Sequence, residues 1–355
     1  MSTLLVWREK LKDIYSKYPV YIQKALQFLT GLILFGLINY NIGFMEQASS
    51  VLCTAGLAGV CTFFPMTIMT LAAAALILIH FYAVSMPIAA VSLVIFLLMY
   101  IFYFRFTPKK AWIVILSAIA FGLKIPFAIP VVFGLLGTPV WIVPAAFGIM
   151  SYYMVDSVKA SATALKSADA ANMADSLMNF TKQFFTDKEM WLMIAAVVIG
   201  ILVVHHVRTR SVDHAWKIAS AAGAAVSVII ASAGSIALGT DISFVVILLS
   251  AVLGIAAGLV LEFLFFSVDY SRTENIQFED DEYYYYVKAV PKVGVTVPEK
   301  EVKNITAEAP GKQDEAEKPA DTRQEKTIAE KTDEILLTRS LSKELGLDQE
   351  KDKTE

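Results

Sequence analysis

The chain has 355 residues, of which 56% are hydrophobic and 18% charged, and its formal net charge is −3. The mean hydropathy of +0.58 and the 58 residues from Gln47 to Phe104 without Asp, Glu, Lys or Arg exclude a water-soluble domain as the main body. About 20 helical residues span a hydrocarbon core about 30 Å thick, so this run alone holds two or three transmembrane helices. The composition therefore predicts an all-α polytopic membrane protein.

Residues 1–20 have the pattern of a helix that lies in the lipid headgroup layer. Apolar side chains fall on one face and basic side chains cover the other: Trp7, Leu11, Ile14 and Tyr18 against Arg8, Lys10, Lys12 and Lys17. An ordinary juxtamembrane linker is an equally good interpretation. In either case the basic residues predict a cytoplasmic N-terminus.

Residues 21–150 and 189–266 contain the apolar segments that predict membrane helices. The clearest segments are 24–44, 66–84, 88–104, 111–124, 131–150, 189–207, 215–237 and 243–266. Residues 48–64 form a further short apolar piece. If it dips into the membrane or extends the next helix, there are eight spans and both termini are cytoplasmic. If it crosses, there are nine spans and the C-terminal tail is outside.

The basic residues near the helix ends give conflicting signals on this count. Arg105, Lys109 and Lys110 favour nine spans, whereas Arg208, Arg210 and Lys217 favour eight. We expect eight, because a long charged tail without cysteines is easier to place in the cytoplasm.

Residues 122–150 are the most unusual membrane segment. Four prolines and four glycines lie in it, and Lys124 precedes the first proline, Pro126. Each proline, such as Pro126 or Pro130, removes a backbone donor and obstructs the helical turn before it. Broken helices of this kind line substrate or ion sites in many transporters. A tight kinked hairpin with Lys124 reaching an interface is the structural alternative.

Residues 151–188 form a polar connection that predicts two amphipathic helices resting on the membrane or on the bundle. The next group, 189–266, carries a small residue at every fourth position of one helix and a GxxxG pattern in the following one: Ala219, Gly223, Ser227, Ala231 and Ser235, then Gly254 and Gly258. Such stripes predict close helix packing, within the chain or with another subunit. Glu262 continues the second stripe and is a candidate intramembrane functional carboxylate, or a headgroup-level residue.

Residues 267–298 are rich in Tyr and Val, which favours a strand or a short hairpin. Tyr283, Tyr284, Tyr285 and Tyr286 follow four acidic residues and are candidates for partner binding or phosphorylation. Residues 299–355 carry 11 Lys or Arg and 16 Asp or Glu, a composition that predicts a disordered tail. Leu337, Leu341 and Leu345 recur there every four residues and predict a short partner-binding helix.

No nucleotide-binding, serine-hydrolase or zinc-protease motif is present in the sequence, so we expect no enzymatic activity and no cofactor. His205, His206 and His214 cluster with Asp213, but they lack metal-ligand spacing and Arg208 and Arg210 would oppose a cation. We therefore expect no metal site. We also expect no nucleic-acid binding, because the sequence offers no basic, aromatic-rich surface.

Three strings, YFRFTPKK (103–110), LKIPFAIPVVFGLLGTPV (123–140) and VDYSRTENIQFEDDEYYYYVKAVPK (268–292), resemble those of a group of polytopic membrane proteins from anaerobic Gram-positive bacteria. The resemblance covers about residues 20–298. Because such proteins are often named ABC transporter permeases, it implies a multi-pass protein of the bacterial plasma membrane that is involved in transport. It implies no substrate and no site residues.

Two functions follow as expectations. The first is a permease-like subunit of a transport or cell-envelope complex, energised by another chain such as an ATPase. The second is a non-transporting membrane scaffold that recruits cytoplasmic partners through its tail. The lipid bilayer and membrane or cytoplasmic proteins are the expected partners, and a homo-oligomer is possible for either function.

Overall fold

The computed structural model describes residues 2–106, 109–166, 173–266, 268 and 270–292. The described residues form α1 (Ser2–Lys17), α2 (Pro19–Ile42), α3 (Val51–Phe63), α4 (Met66–Val84), α5 (Met86–Phe106), α6 (Ala111–Gly122), α7 (Ala128–Leu136), α8 (Ile142–Lys166), α9 (Met173–Thr186), α10 (Lys188–Arg208), α11 (Ala215–Leu238), α12 (Phe244–Phe265), β1 (Glu274–Glu279) and β2 (Tyr284–Ala289).

Among the described residues, six helical stretches are long and apolar enough to cross a membrane: Pro19–Ile42, Met66–Val84, Met86–Tyr103, Met178–Arg208, Ala215–Leu238 and Phe244–Phe265. The predicted count of eight is not confirmed by this criterion. α3 has 13 residues and α6 has 12, so each is shorter than the 20 or so residues that a bilayer requires.

The predicted span 131–150 is wrong, because two helices replace it. α7 ends at Leu136, the backbone of Gly137 is extended, and a short 3₁₀ turn at Pro139–Trp141 leads into α8. All four prolines of this region lie before a helix or in its first turn, where the missing N–H would have had no helical partner. The prolines therefore start helices here and do not kink them. α8 then continues to Lys166, into the region predicted as a separate polar connection.

One end of the bundle, which we call the basic end, gathers Lys24, Lys110 and Arg208. Lys24 Nζ donates to the carbonyl of Thr62 at 2.6 Å, so α3 finishes beside the beginning of α2. Lys110 lies 5.1 Å from the ring of Trp141, and Arg208 donates to the carbonyls of Leu135 and Gly137. The beginnings of α6 and α8 and the ends of α7 and α10 therefore meet at this end.

The other end, which we call the opposite end, gathers Asn39, Thr54 and His80. Asn39 Nδ2 donates to Thr54 Oγ1 at 2.8 Å, and its Oδ1 accepts from His80 Nε2 at 2.9 Å. The end of α2, the start of α3 and the end of α4 thus meet here. α3 consequently runs back along α2, from beside Asn39 to beside Lys24.

The helices form two packed groups. α2, α3, α4, α5 and α6 contact one another, whereas α7 packs among α10, α11 and α12; α8 contacts members of both groups. α1 exposes Trp7, Leu11 and Ile14. β1 and β2 pair antiparallel, with Ile276 opposite Val287 and Phe278 opposite Tyr285. Lys288 of β2 bonds Asp213 at 2.7 Å, which places this hairpin at the basic end.

Candidate functional site

Lys124 lies in the turn between α6 and α7, and its backbone has a left-handed φ of 62°. The N–H of Ile125 donates to the carbonyl of Ala120 at 2.9 Å, which closes the end of α6. Glycine normally occupies this position after a helix, because a side chain there costs about 1–2 kcal/mol. A lysine held in such a conformation is a candidate functional residue.

The Lys124 side chain extends toward α8. Its Nζ donates to Tyr152 Oη at 2.9 Å. The neighbouring Tyr153, whose ring centroid is 5.3 Å from that of Tyr152, donates its hydroxyl to Glu189 Oε1 at 3.0 Å. A lysine, two tyrosines and a carboxylate from three elements therefore form one polar group. Sequence reasoning missed the tyrosines and Glu189, since positions 28 to 65 residues from Lys124 show no common pattern.

The start of α7, just after the turn that holds Lys124, lies beside the middle of α10 and α12. A methyl group added at Gly254, near the middle of α12, would lie 2.6 Å from the carbonyl oxygen of Phe127. One added at Gly200, in the second half of α10, would lie 2.7 Å from Pro130 Cβ. Pro126 lies in the turn itself. α7 therefore begins beside the middle of α10 and α12.

The other end of α7 is closed by Arg208. Its guanidinium donates to the carbonyls of Leu135 and Gly137, and its Cζ lies 6.0 Å from the centre of the Trp216 ring. These carbonyls lack helical partners because α7 ends there. Arg208 thus supplies the donors that end a nine-residue helix surrounded by apolar side chains.

Glu262 lies far from the polar group of Lys124 along the bundle. Its carboxylate is 4.0 Å from Lys217 Nζ, and its side chain is 12% exposed. Lys217 is in the first turn of α11, at the basic end. The structure therefore does not bring Lys124 and Glu262 together: the first faces α8 beyond the α6–α7 turn, and the second faces α11.

The small residues of α11 and α12 face α10 and α7. Gly223 lies against Val204, and Ser227 donates to the carbonyl of Ala196 at 3.3 Å. Ala219, Ala231 and Ser235 are also buried. Gly254 approaches the Phe127 carbonyl, and a methyl group at Gly258 would lie 2.8 Å from Val131 Cγ1. The neighbours of both stripes are thus helices of the same chain.

His80 and Asn39 form a second buried polar group. His80 is 0% exposed, accepts from the Met45 N–H at 3.2 Å through Nδ1, and donates to Asn39 through Nε2. This arrangement requires the neutral imidazole with its proton on Nε2. Both ring nitrogens of His80 bond either the loop before α3 or the end of α2, so this group holds these segments together.

The tyrosine cluster forms part of the exposed hairpin. Asp280 Oδ1 accepts from the N–H groups of Glu282 and Tyr283, and Oδ2 accepts from the Tyr285 hydroxyl at 2.8 Å. These bonds, the one from Glu282 most strongly, hold the pKa of Asp280 below its usual range. Tyr284 and Tyr286 are exposed on one face. Leu337, Leu341 and Leu345 lie outside the described residues.

The histidines at the basic end are dispersed over different partners. His205 bonds the Gly137 carbonyl at 3.2 Å, His206 bonds Arg210, and His214 stacks on Tyr270. Within the part of the chain that the structure describes, no three His, Cys, Asp or Glu side chains gather as metal ligands. No protein-family model, curated protein or solved structure matches the chain.

Proposed function

We propose that the chain crosses the bacterial plasma membrane eight times, through α2, α3, α4, α5, α8, α10, α11 and α12. In this arrangement α6 and α7 form a hairpin that enters from the basic end, turns within the bundle and returns. α3 is short for a span, but it runs back along α2 from Asn39 to Lys24, and this course supports its inclusion. The position of the Phe127 carbonyl beside the middle of α12 supports the exclusion of α6 and α7.

This arrangement places three basic groups of the sequence at one end. The first is in α1, the second is Arg105, Lys109 and Lys110 at and after the end of α5, and the third is Arg208, Arg210 and Lys217, from the end of α10 to the first turn of α11. Positively charged loops favour the cytoplasmic side. The basic end is therefore cytoplasmic in this proposal, together with α1 and the hairpin of β1 and β2.

The activity that we propose is that of a permease-like subunit. The observation that carries it is the α6–α7 turn, where α6 ends, α7 begins beside the middle of α10 and α12, and the exposed Lys124 contacts Tyr152. Non-helical backbone at membrane depth is tolerated where it lines a cavity or is enclosed by protein, and helix ends of this kind form substrate sites in transporters. Another chain supplies the energy, because the sequence has no nucleotide-binding motif.

Single cysteine substitutions test whether this turn lies on a substrate pathway. In a chain with Cys53 and Cys61 replaced by alanine, Lys124→Cys and Pro126→Cys should react with a small, charged, membrane-impermeant thiol reagent in intact cells or in inverted vesicles. Leu249→Cys, on the exposed face of α12, is the matched control and should stay unlabelled. Unreactive turn cysteines in both preparations, together with wild-type growth of Lys124→Ala and Glu262→Gln, would exclude the permease function.

The exposed hairpin favours the scaffold as a second candidate. Ile276, Phe278, Tyr285 and Val287 form an apolar face that is 37–51% exposed. A two-stranded sheet of this size is marginally stable alone, and its open edges can accept a strand from a partner. If the protein is a scaffold, deletion of residues 299–355 or Phe278→Ser should abolish a cellular phenotype that Lys124→Ala leaves unchanged. The reverse dependence supports the permease.

A further inference from the structure

An elongated apolar cavity of about 100 Å³ lies inside the first helical group, between α2, α4, α5, α6 and α8. Its wall follows α2 from Leu34 to Asn41 and α4 from Thr70 to Ile77. Seven residues of helix correspond to about 10 Å, so the cavity is a slot parallel to the helices. Apolar cavities in proteins stay dry and bind hydrocarbon.

Polar side chains line both ends of this slot, and Thr70, Tyr100 and Tyr103 lie toward the basic end of the bundle. Asn41, Ser151 and Tyr152 line the cavity where it approaches the opposite end of the bundle. Lys124 Nζ donates to Tyr152 Oη at 2.9 Å, and Lys159 Nζ donates to Asn41 Oδ1 at 3.5 Å. Two ammonium groups are therefore hydrogen-bonded to polar residues at one mouth of the cavity.

Two carboxylates lie near these ammonium groups and attract that of Lys124. Asp156 lies one turn beyond Tyr152 on α8 and is exposed, and Glu189 accepts a hydrogen bond from the Tyr153 hydroxyl. The hydrogen bonds to Tyr152 and Asn41 use one donor of each ammonium group, which leaves two N–H groups on each for an anion. An apolar slot ending at two ammonium groups matches a hydrocarbon chain that carries one negative head.

We propose that this slot binds a single-chain anionic amphiphile, with its alkyl chain between α2, α4 and α5 and its carboxylate or phosphate at Lys124 and Lys159. The inference rests on the proposed permease function and names its substrate class. This role explains the left-handed backbone of Lys124, because that conformation directs the ammonium group toward the cavity mouth where α6 ends.

Photo-crosslinking of the full-length protein in lipid nanodiscs tests this assignment. The probes are hexyl chains, short enough for the slot, that carry a diazirine and end in a carboxylate, a phosphate, a trimethylammonium or a hydroxyl group. We expect the carboxylate or the phosphate probe to label cavity residues such as Phe96, Met99 and Ile115. The preferred head identifies the source, a fatty acid or a phosphorylated lipid.

Charge and shape variants complete the experiment. Lys124→Gln combined with Lys159→Gln should lower cavity labelling by the anionic probe about tenfold and leave labelling by the hydroxyl probe unchanged. Ala118→Phe, which fills the slot, should lower labelling by both probes. Lys188→Gln, which removes a lysine from the start of α10 near the same end, is the matched control and should behave as wild type.

The possible failures are distinguishable. Equal cavity labelling by the cationic and anionic probes, or labelling confined to lipid-facing residues, would overturn the amphiphile assignment. If the anionic probe labels the cavity but the Lys124 and Lys159 variants support wild-type growth, the binding site stands and the permease function fails. If the cavity stays unlabelled while those variants lose function, the amphiphile is wrong and the permease function stands.

Discussion

Among the described residues, only Lys124 and His214 combine a side chain with a positive φ. At Lys124 this strain can be separated from the chemistry of the ammonium group, because glycine removes the strain whereas alanine keeps it. Both substitutions remove the bond to Tyr152. The comparison therefore isolates the backbone cost from the contribution of the side chain.

We predict that Lys124→Gly is more stable than Lys124→Ala by about 1 kcal/mol, because only the glycine variant relieves the left-handed backbone. Thermal unfolding of both proteins in the same detergent, followed by tryptophan fluorescence, measures the difference. Both variants should lose function equally, since both lack the ammonium group. An alanine variant as stable as the glycine variant would show that the turn carries no strain.

A second prediction at this scale concerns the hairpin. The hydrogen bonds to the Asp280 carboxylate favour its charged form, so the pKa of Asp280 in the folded hairpin lies below that in the unfolded chain. Their contribution to stability is therefore complete above about pH 4, where a free aspartate is charged, and is lost as the pH falls through the lowered pKa. Tyr285→Phe removes one donor and should raise the pKa of Asp280 toward its ordinary value.

A titration of the Asp280 carboxyl carbon by NMR, in the detergent-solubilised protein, measures this shift. Tyr284→Phe is the matched control, because Tyr284 lies on the other face of the hairpin and makes no bond to Asp280 in the described structure. An unchanged Asp280 pKa in Tyr285→Phe would contradict the assigned hydrogen bond.

At the scale of elements, the packing of α7, α10, α11 and α12 depends on glycines of α11 and α12. Gly258→Leu would drive a side chain into Ser220 and Val131, and Gly223→Leu would drive one into Val204. Each should lower the stability in detergent by about 1–3 kcal/mol, the usual cost of overpacking. Leu249→Ala, on an exposed part of α12, should change it little. Wild-type melting curves for both glycine variants would mean that the added side chains fit between the helices without loss of stability.

The sequence predicts some of these elements and misses others for physical reasons. Long apolar runs such as 215–237 are visible directly, and the structure places one continuous helix over most of each of six predicted segments: 24–44, 66–84, 88–104, 189–207, 215–237 and 243–266. Residues 131–150 are predicted as a single span, because their composition is apolar throughout. Only the local backbone at Gly137 and Pro139 interrupts the helix, and composition does not reveal that break. The grouping of Lys124 with Tyr152 and Glu189 has no local signature, since packing alone brings these residues together.

At the scale of the whole molecule, the course of α3 decides the sidedness of every later loop up to α8. If α3 crosses, the loop at Met86 is outside and the loop at Lys109 is cytoplasmic. If it only dips into the membrane, the two loops exchange sides. The conflict among the basic residues in the sequence disappears in the first arrangement, because both basic loops and α1 then lie at the same end.

We predict that an impermeant thiol reagent labels Met86→Cys and Asp241→Cys in intact cells. Lys109→Cys and Asp213→Cys should react only after the membrane is permeabilised. Each cysteine is introduced alone into the chain with Cys53 and Cys61 replaced by alanine. Labelling of Lys109→Cys but not Met86→Cys in intact cells would establish that α3 does not cross, as the sequence alone suggested.

The position of α7 also constrains the order in which the protein can be completed during synthesis. α7 ends at Leu136, but the helices that enclose it follow much later, and α12 ends at Phe265. At 5–20 residues per second, a ribosome needs about 6–26 s to supply them. During this interval the chain holds a short helix whose ends have not yet met Arg208 or Gly254. A nascent chain stalled in this window should be a preferred substrate for membrane chaperones and quality-control proteases.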